Sequence, residues 1–228
     1  MSTDFFKKKK IWIPIIFGVI IFAMLVLFAI SPLFQVKKIY VGYKFHYLII
    51  PTENVEVGVF NAQLDGGAGY TLNVNGKACV ALSVYTDEQD GQNVCASLQS
   101  TGEQCELITL GVDALYLKSR AEKRNERELV GAFQTFYNCL NILEQEIFRL
   151  DKGATQESSK RILSKLKAQL TFLEKQYSSS FAKYAALCAE MAGCISEILK
   201  KEIYAKDLRG VLCEASYEFV AIGAEFSL

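Results

Sequence analysis

The sequence predicts an α+β fold that follows an N-terminal transmembrane helix, and three observations lead to this prediction. An uncharged apolar run occupies residues 11–34, short segments of strand composition lie between residues 44 and 117, and long runs with apolar residues at helical spacing follow residue 119. Alternation with a period of two is typical of strands, whereas a 4-3 spacing is typical of helices. The chain therefore divides into a basic cytoplasmic tail at 1–10, a transmembrane signal anchor at 11–34, a small α+β domain at 35–118 and a helical domain at 119–228.

The apolar run at residues 11–34 is long enough to cross a lipid bilayer. It contains no charged residue, and a membrane-spanning helix needs roughly 20 apolar residues. Pro14 falls in its first turn, where the missing N–H costs little. The run is longer than the apolar core of a cleavable signal peptide, and no A-x-A cleavage site follows it. We therefore expect an uncleaved anchor, with the lipid bilayer as a partner of the chain.

The orientation of the anchor is predicted from the charges on its two sides. The lysines at residues 7–10 precede the run, and such a cluster favours a cytoplasmic N-terminus. Lys37, Lys38 and Lys44 follow the run and weaken the asymmetry. The balance predicts a single-pass protein of the cell membrane whose C-terminal domain is extracytoplasmic.

The cysteines leave the redox environment of that domain open. The chain has seven of them, whereas an even number is more usual in an oxidising compartment. One interpretation is that most are small buried hydrophobic residues, which fits a cytosolic domain or an extracytoplasmic domain of an anaerobe. The other is that two of Cys79, Cys95 and Cys105, which can lie close together in the α+β domain, form one disulfide.

The strands of the α+β domain are predicted from composition and from one turn. Residues 44–50 have strand composition, and three valines alternate within 53–60, which predicts a second short strand. Asn75-Gly76 is a strong signal for a type I′ turn. It predicts a hairpin between strands at 70–75 and 77–85.

One helix is predicted in the same domain, directly after the hairpin. Thr86 is its expected N-cap, and Gln89, three residues later, completes a capping box. Thr101-Gly102 ends the helix, and residues 105–117 follow as a last strand or pair of strands. The sequence therefore predicts a small sheet with one helix on one face.

The helical domain is predicted from the apolar spacing along its first helix. Residues spaced 4, 3, 4, 3, 4 and 3 apart form a seam, called here the 129–150 seam: Leu129, Phe133, Phe136, Leu140, Leu143, Ile147 and Leu150. A turn at 151–159 leads to a second long helix, whose seam slips by one residue at the serines 178–180, and 207–228 forms a third helix. Long helices joined by a short turn pack antiparallel. We expect a long antiparallel helical hairpin with a third C-terminal helix, or a coiled-coil dimer.

The sequence offers little catalytic equipment. His46 is the single histidine, so no second histidine can complete a zinc site, and the cysteines lack metal-ligand spacing. The glycines of 65–69 lack the spacing of a nucleotide-binding loop. Glu144 and Glu146 point to different faces of a charged helix and are interpreted as solvated. We expect no enzyme activity, no cofactor and no metal.

The charge balance also argues against nucleic acid as a partner. The chain has 25 basic and 25 acidic residues and is formally neutral. A nucleic-acid surface requires clustered basic residues. We therefore expect no nucleic-acid partner.

A family resemblance is carried by residues 69–110. The segment begins with a glycine-aromatic pair, continues with a strand that ends in an aromatic residue, and then has a helix with glutamate, leucine and a final glycine. The residues at these positions are Gly69-Tyr70, Val80, Val84-Tyr85, Glu88, Leu98 and Gly102. This pattern resembles one half of a SPOR domain, the sporulation-related repeat. Gly91 occupies a position at which that family usually has alanine. Residues 57–60 resemble a second sequence motif of the family. The helix that a first half requires is not evident within 44–67.

The resemblance implies a function and a site. SPOR domains bind peptidoglycan, favour strands stripped of stem peptides, and usually lie outside the membrane on a single-pass anchor in division or sporulation proteins. They bind glycan on the open face of the sheet, opposite the helices. By strand alternation, that face is expected to carry Thr71, Asn73, Ala81, Ser83 and Tyr85. Small polar residues beside an aromatic ring suit a sugar, although an ordinary solvated sheet face has the same composition.

Two functions are compatible with the sequence. In the first, the chain is a membrane-anchored envelope protein that binds peptidoglycan during sporulation or cell division. In the second, it is a membrane-tethered helical scaffold without glycan binding, and the 129–150 seam mediates self-association or docking of partner helices.

Overall fold

The computed structural model describes residues 36–228 except for 53, 75, 119, 227 and 228. The predicted cytoplasmic tail and transmembrane anchor lie outside the described residues. Within the described part, none of the helices combines the length and apolar character that crossing a membrane requires. This part has an α+β fold and is mostly helical, with seven helices and a four-stranded antiparallel sheet.

The first six elements alternate in the order β-α-β-β-α-β. They are β1 (Lys37–Ile50), α1 (Val55–Leu64), β2 (Tyr70–Val74), β3 (Lys77–Tyr85), α2 (Glu88–Ser100) and β4 (Glu106–Leu117). The strands lie in the sheet order β2-β3-β1-β4, and every neighbouring pair is antiparallel. This is the split βαβ arrangement, in which two βαβ halves interleave their strands.

The strand predicted at 53–60 is wrong, because residues 55–60 of this segment lie in helix α1. The alternating valines suggested a strand, but Asn54 caps a helix by accepting a hydrogen bond from Val57 N at 3.2 Å. The buried side of α1 is small and carries Gly58 and Ala62. A Cβ atom at Gly58 would lie 2.9 Å from Thr52 Cγ2, so the glycine permits this close approach.

The predicted hairpin and the helix after it are confirmed, with one change at the helix start. The N-cap of α2 is Asp87, whose side chain accepts from Gln89 N and Asp90 N. Thr86, the predicted cap, instead donates to Glu144 of the helical half. Gly91 brings α2 close to the sheet, because a Cβ atom there would lie 2.9 Å from Leu107 Cδ1.

The helical half contains more helices than the sequence predicted. They are α3 (Arg120–Arg124), α4 (Glu126–Asp151), α5 (Gln156–Tyr177), α6 (Ala182–Ile198) and α7 (Ala205–Glu225). The predicted second long helix ends at Tyr177 and restarts at Ala182, so the slip in its apolar spacing marks a break. The long helices α4 to α7 pack together, and the expectation of a hairpin plus one helix is corrected to four long helices.

The 129–150 seam is used inside the chain. Its first six members are at most 4% exposed and belong to one core with residues of α5, α6 and α7. Burial within a single chain leaves the seam unavailable as a dimer interface. The expected coiled-coil dimer through this seam is therefore not supported.

Both faces of the sheet are covered. One face carries α1 and α2, and the other packs against α4 and α7 in a core shared by the sheet and the helical half. The ring of Phe219 on α7 lies 5.5 Å from that of Tyr43 and 5.1 Å from that of Phe133. Tyr47 Oη on β1 lies 2.7 Å from Ser216 Oγ on α7. The boundary expected near residue 118 thus separates two parts that share one core.

Candidate binding groove

The five predicted glycan-contacting residues do not share one face of the sheet. Ala81 is 0% exposed and faces the core shared with the helical half. Ser83 and Tyr85 point to the opposite face, toward α2, where Tyr85 packs with Leu48. The prediction of a common face is therefore wrong for these residues.

A β-bulge causes this division. Leu48 on β1 pairs with Ser83, whereas the next residue, Ile49, pairs with Ala81, so Leu82 is an extra residue on β3. A bulge shifts the alternation of side chains beyond it to the other face. Simple alternation along β3 could not reveal this shift.

Thr71 and Asn73 lie on a different strand, β2, at the edge of the sheet. Both are exposed, and the residue between them, Leu72, is buried in the shared core. They therefore point away from the helical half, on the side of α1. Neither contributes to the groove that contains Ser83 and Tyr85.

That groove lies between the end of α1 and helix α2. It has a volume of about 370 Å³, which is within the range of small-ligand sites. Five sheet residues form its floor, and two residues of α2 form one wall: Leu48, Ile50, Leu82, Ser83, Tyr85, Val94 and Leu98. We call this feature the α1–α2 groove.

The rim of the α1–α2 groove is polar and charged. Asp65 and Glu103 lie on it, together with Arg209 from α7. Arg209 donates from Nη1 to Gly66 O at 2.8 Å and from Nη2 to Asp151 Oδ2 at 2.5 Å. The guanidinium therefore ties the loop after α1 to the end of α4 and fixes one side of the groove.

Tyr85 is the aromatic residue on the groove floor. Its ring stacks on that of Phe148 with 6.1 Å between centroids. Burial raises the pKa of Tyr85, against the opposing effects of a hydrogen bond with Ser83 and the charge of Arg209. The hydroxyl therefore stays protonated at neutral pH and can donate a hydrogen bond.

Glu144 and Glu146 are buried, which corrects the expectation that both are solvated. Glu144 accepts from Thr86 N at 3.0 Å and from Thr86 Oγ1 at 2.5 Å, beside the groove. Glu146 accepts from Ser159 Oγ at 2.5 Å and pairs with Arg149 Nη1 at 2.7 Å. Their partners come from distant segments or from the next turn of helix, so both carboxylates have structural roles.

The buried carboxyl of Glu144 predicts a pH dependence of stability. Burial raises its pKa above the ordinary value of 4.5, although both hydrogen bonds from Thr86 act in the opposite direction. A raised native pKa gives a stabilisation that is complete below 4.5 and is lost as the pH rises through the native pKa. We expect the melting temperature of Glu144→Gln, relative to the unmutated chain, to increase as the pH rises from below 4.5 to neutral.

The measurement is thermal unfolding across this pH range. Glu157→Gln, at an exposed position of α5, is the matched control and should follow the unmutated chain. A melting-temperature difference for Glu144→Gln that does not change with pH would contradict the raised pKa.

The described residues provide no assembled metal site. Among them, no group of three or more His, Cys, Asp or Glu residues could hold a metal ion. His46 is 4% exposed, and its Nδ1 lies 2.9 Å from Thr109 Oγ1, so this ring has a hydrogen-bond partner within the sheet. What the arrangement offers is a groove with an apolar floor, one aromatic hydroxyl and a charged rim.

Some of the groove was visible in the sequence and some was not. Val94 and Leu98 fall on the apolar face of the predicted helix, so a helical pattern identifies them. Arg209 comes from a helix far along the chain, and no local signal connects it with Gly66 or Asp151. Comparison with protein-family models, with curated proteins and with solved structures finds no match for this chain.

Proposed function

We propose that this chain is a single-pass envelope protein with a SPOR-like module that binds peptidoglycan in the α1–α2 groove. The observation that carries the proposal is the β-α-β-β-α-β order with sheet order β2-β3-β1-β4. The SPOR resemblance implies two βαβ-like halves, and the sequence pattern supplied a helix for only the second. Helix α1 stands where the first half requires one.

The groove is a better glycan site than the opposite face of the sheet. That face packs against α4 and α7, and Ala81, one of the residues expected to contact glycan, is 0% exposed on it. Glycan could reach it only if the helical half were displaced. The groove, in contrast, is open, and Ser83 and Tyr85, two of the expected residues, lie at its floor with 5% and 6% exposure.

The chemistry of the groove suits a sugar. Leu82, Val94 and Leu98, which are half-buried, offer an apolar surface to the C–H face of a pyranose ring, above the buried ring of Tyr85. Carboxylates of the rim can accept hydrogen bonds from sugar hydroxyls. The anchor at residues 11–34 belongs to the same proposal and would hold the sheet close to the membrane, since β1 begins at Lys37.

A substitution that fills the groove tests this function. Leu98→Arg places a long side chain into the groove from a half-buried position on α2. We expect binding to purified peptidoglycan to weaken by about tenfold or more, which corresponds to loss of about 1.4 kcal/mol or more. The measurement is co-sedimentation of the full chain, in mild detergent, with sacculi whose stem peptides are intact or removed by an amidase.

The control introduces the same side chain on the same helix. Ala96 is exposed on α2 and does not line the groove, so Ala96→Arg should bind as the unmutated chain does. Equal binding by Leu98→Arg and Ala96→Arg would exclude the groove as the site. An unmutated chain that does not co-sediment with either kind of sacculus would overturn peptidoglycan binding itself.

The scaffold function is supported by a different surface from the one expected. Three exposed apolar residues of α1 are spaced as one helical stripe: Val57, Phe60 and Leu64, at 52%, 61% and 68% exposure. Exposed apolar stripes commonly mark protein contacts. If the chain does not bind sacculi, association through this stripe is the function that remains, because the 129–150 seam is occupied within the chain.

A further inference from the structure

Two buried cysteines meet at the wall of the α1–α2 groove. Cys95 lies on α2, Cys105 directly precedes β4, and they are 8% and 5% exposed. Their Sγ atoms are 2.7 Å apart. The Sγ of Cys105 also lies 3.3 Å from the carbonyl oxygen of Cys95. Cys105 itself lines the groove.

The chain between the two cysteines is held in a shape that brings them together. After α2 ends, Gly102 adopts a φ of +93° and turns the backbone, and Glu103 N donates to Leu98 O at 3.1 Å. Gln99 Nε2 donates to the carbonyl oxygen of Cys105 at 3.0 Å. Backbone and side-chain hydrogen bonds thus position Cys105 against α2 without a covalent link.

We infer that Cys95 and Cys105 form an intramolecular disulfide that closes one wall of the α1–α2 groove. Both thiols lose a proton and together give up two electrons as the Sγ–Sγ bond forms. The electron acceptor is the disulfide of an exported thiol oxidoreductase or of oxidised glutathione, which is reduced to two thiols. The disulfide is a property of the folded chain and does not depend on peptidoglycan binding.

The disulfide has a direct consequence for the groove. It links the middle of α2 to the residue before β4 and therefore fixes the segment that carries Glu103 on the rim. Without the bond, only the hydrogen bonds of the turn hold this segment. The redox state of the pair consequently controls the rigidity of one side of the groove.

The test determines which sulfurs are bonded in the full chain after equilibration with glutathione redox buffer in mild detergent. Burial and the neighbouring Cys95 raise the pKa of the Cys105 thiol, and exchange requires a thiolate, so the mixture is sampled until it no longer changes. Remaining thiols are then alkylated under acid quench. Cleavage after glutamate at Glu88 and Glu103 separates Cys79, Cys95 and Cys105 into different peptides.

The expected product is a pair of linked peptides carrying Cys95 and Cys105, lighter by two hydrogen atoms than the separate peptides. The Cys95–Cys105 bond should form at a ratio of oxidised to reduced glutathione that is on the order of tenfold lower than the ratio at which Cys79 forms a glutathione adduct. The reason is that the fold holds the two thiols together. Alkylation or glutathionylation of Cys95 and Cys105 under these conditions would overturn the inference.

Variants provide a second readout. Reduction should lower the melting temperature of the unmutated chain by about 5 °C or more. The same reductant should not shift Cys95→Ala or Cys105→Ala, whereas Cys79→Ala should respond as the unmutated chain does. A reductant shift that persists in Cys95→Ala would also overturn the inference.

The same digest, applied to chain isolated from cell membranes with thiols trapped at lysis, tests the proposed location separately. Linked peptides are expected from an extracytoplasmic domain. A pair that oxidises in glutathione but is isolated as two thiols would overturn the extracytoplasmic placement and leave the disulfide site established.

Discussion

Replacement of Gly223 by alanine is expected to lower the free energy of unfolding by about 1–3 kcal/mol, the usual range for overpacking in a core. A Cβ atom at Gly223 would lie 2.2 Å from Cγ2 and 3.0 Å from Cγ1 of Val112 on β4. Val112 is 5% exposed, and its branched side chain has little rotamer freedom with which to avoid the clash. The backbone of α7 must therefore move away from the sheet.

Two further variants show whether the loss comes from this contact. Gly210 lies on the same helix, and a Cβ atom added there would have no neighbouring heavy atom within 4 Å, so Gly210→Ala should stabilise by up to about 1 kcal/mol through helix propensity. In a Val112→Ala background, Gly223→Ala should lose most of its penalty, with a coupling energy of about 1–3 kcal/mol. The measurement is urea denaturation of residues 36–228.

The outcome bears directly on where a ligand can bind. If the penalty of Gly223→Ala is unchanged in the Val112→Ala background, α7 does not approach β4 as described. The sheet face that the SPOR resemblance assigns to glycan would then be less closely covered. If the two positions are coupled, that face is closed in the folded chain, and the α1–α2 groove is the accessible site.

Local chemistry explains which elements the sequence predicted correctly. The hairpin between β2 and β3 is specified by Asn75-Gly76 and by alternating apolar residues beside it, and both signals lie within one short segment. The 129–150 seam is likewise a local periodicity, and its first six members are buried as the pattern implies. What the pattern left open was the partner, and the other helices of the same chain provide it.

Two elements were predicted wrongly, the first because local signals compete and the second because it depends on a distant strand. Helix α1 depends on a cap at Asn54 and on a glycine that fits against Thr52, whereas its valines alone suggested a strand. The predicted site was divided because Leu82 is an extra residue relative to β1. Pairing of β3 with β1 involves a strand more than 30 residues earlier, and alternation along β3 alone contains no information on it.

The buried glutamates illustrate the same limit. Glu144 and Glu146 lie on a helix whose sequence is compatible with a solvated charged face. The donors that satisfy them, Thr86 and Ser159, come from the start of α2 and from α5. Because these partners are set by tertiary packing, the spacing within α4 could not predict their burial.

Phe219→Ala is expected to have the largest effect on stability, a loss of about 3–5 kcal/mol, as for other large-to-small changes in cores. The Phe219 side chain is 0% exposed. Its ring lies 5.9 Å from that of Phe45 on β1 and 5.5 Å from that of Phe136 on α4. The cavity would therefore remove contacts with the sheet and with the helical half together.

The informative measurement is amide hydrogen exchange of residues 36–228, compared at β1 and at α4. If the two parts share one core energetically as well as geometrically, exchange at Phe45 and at Phe136 should accelerate by similar factors. Phe172→Ala, at a position of α5 that is 64% exposed, should change stability by no more than about 0.5 kcal/mol. Acceleration in α4 with unchanged protection in β1 would mean that the sheet folds by itself and that the helical half can leave its face, which would make that face available to a ligand.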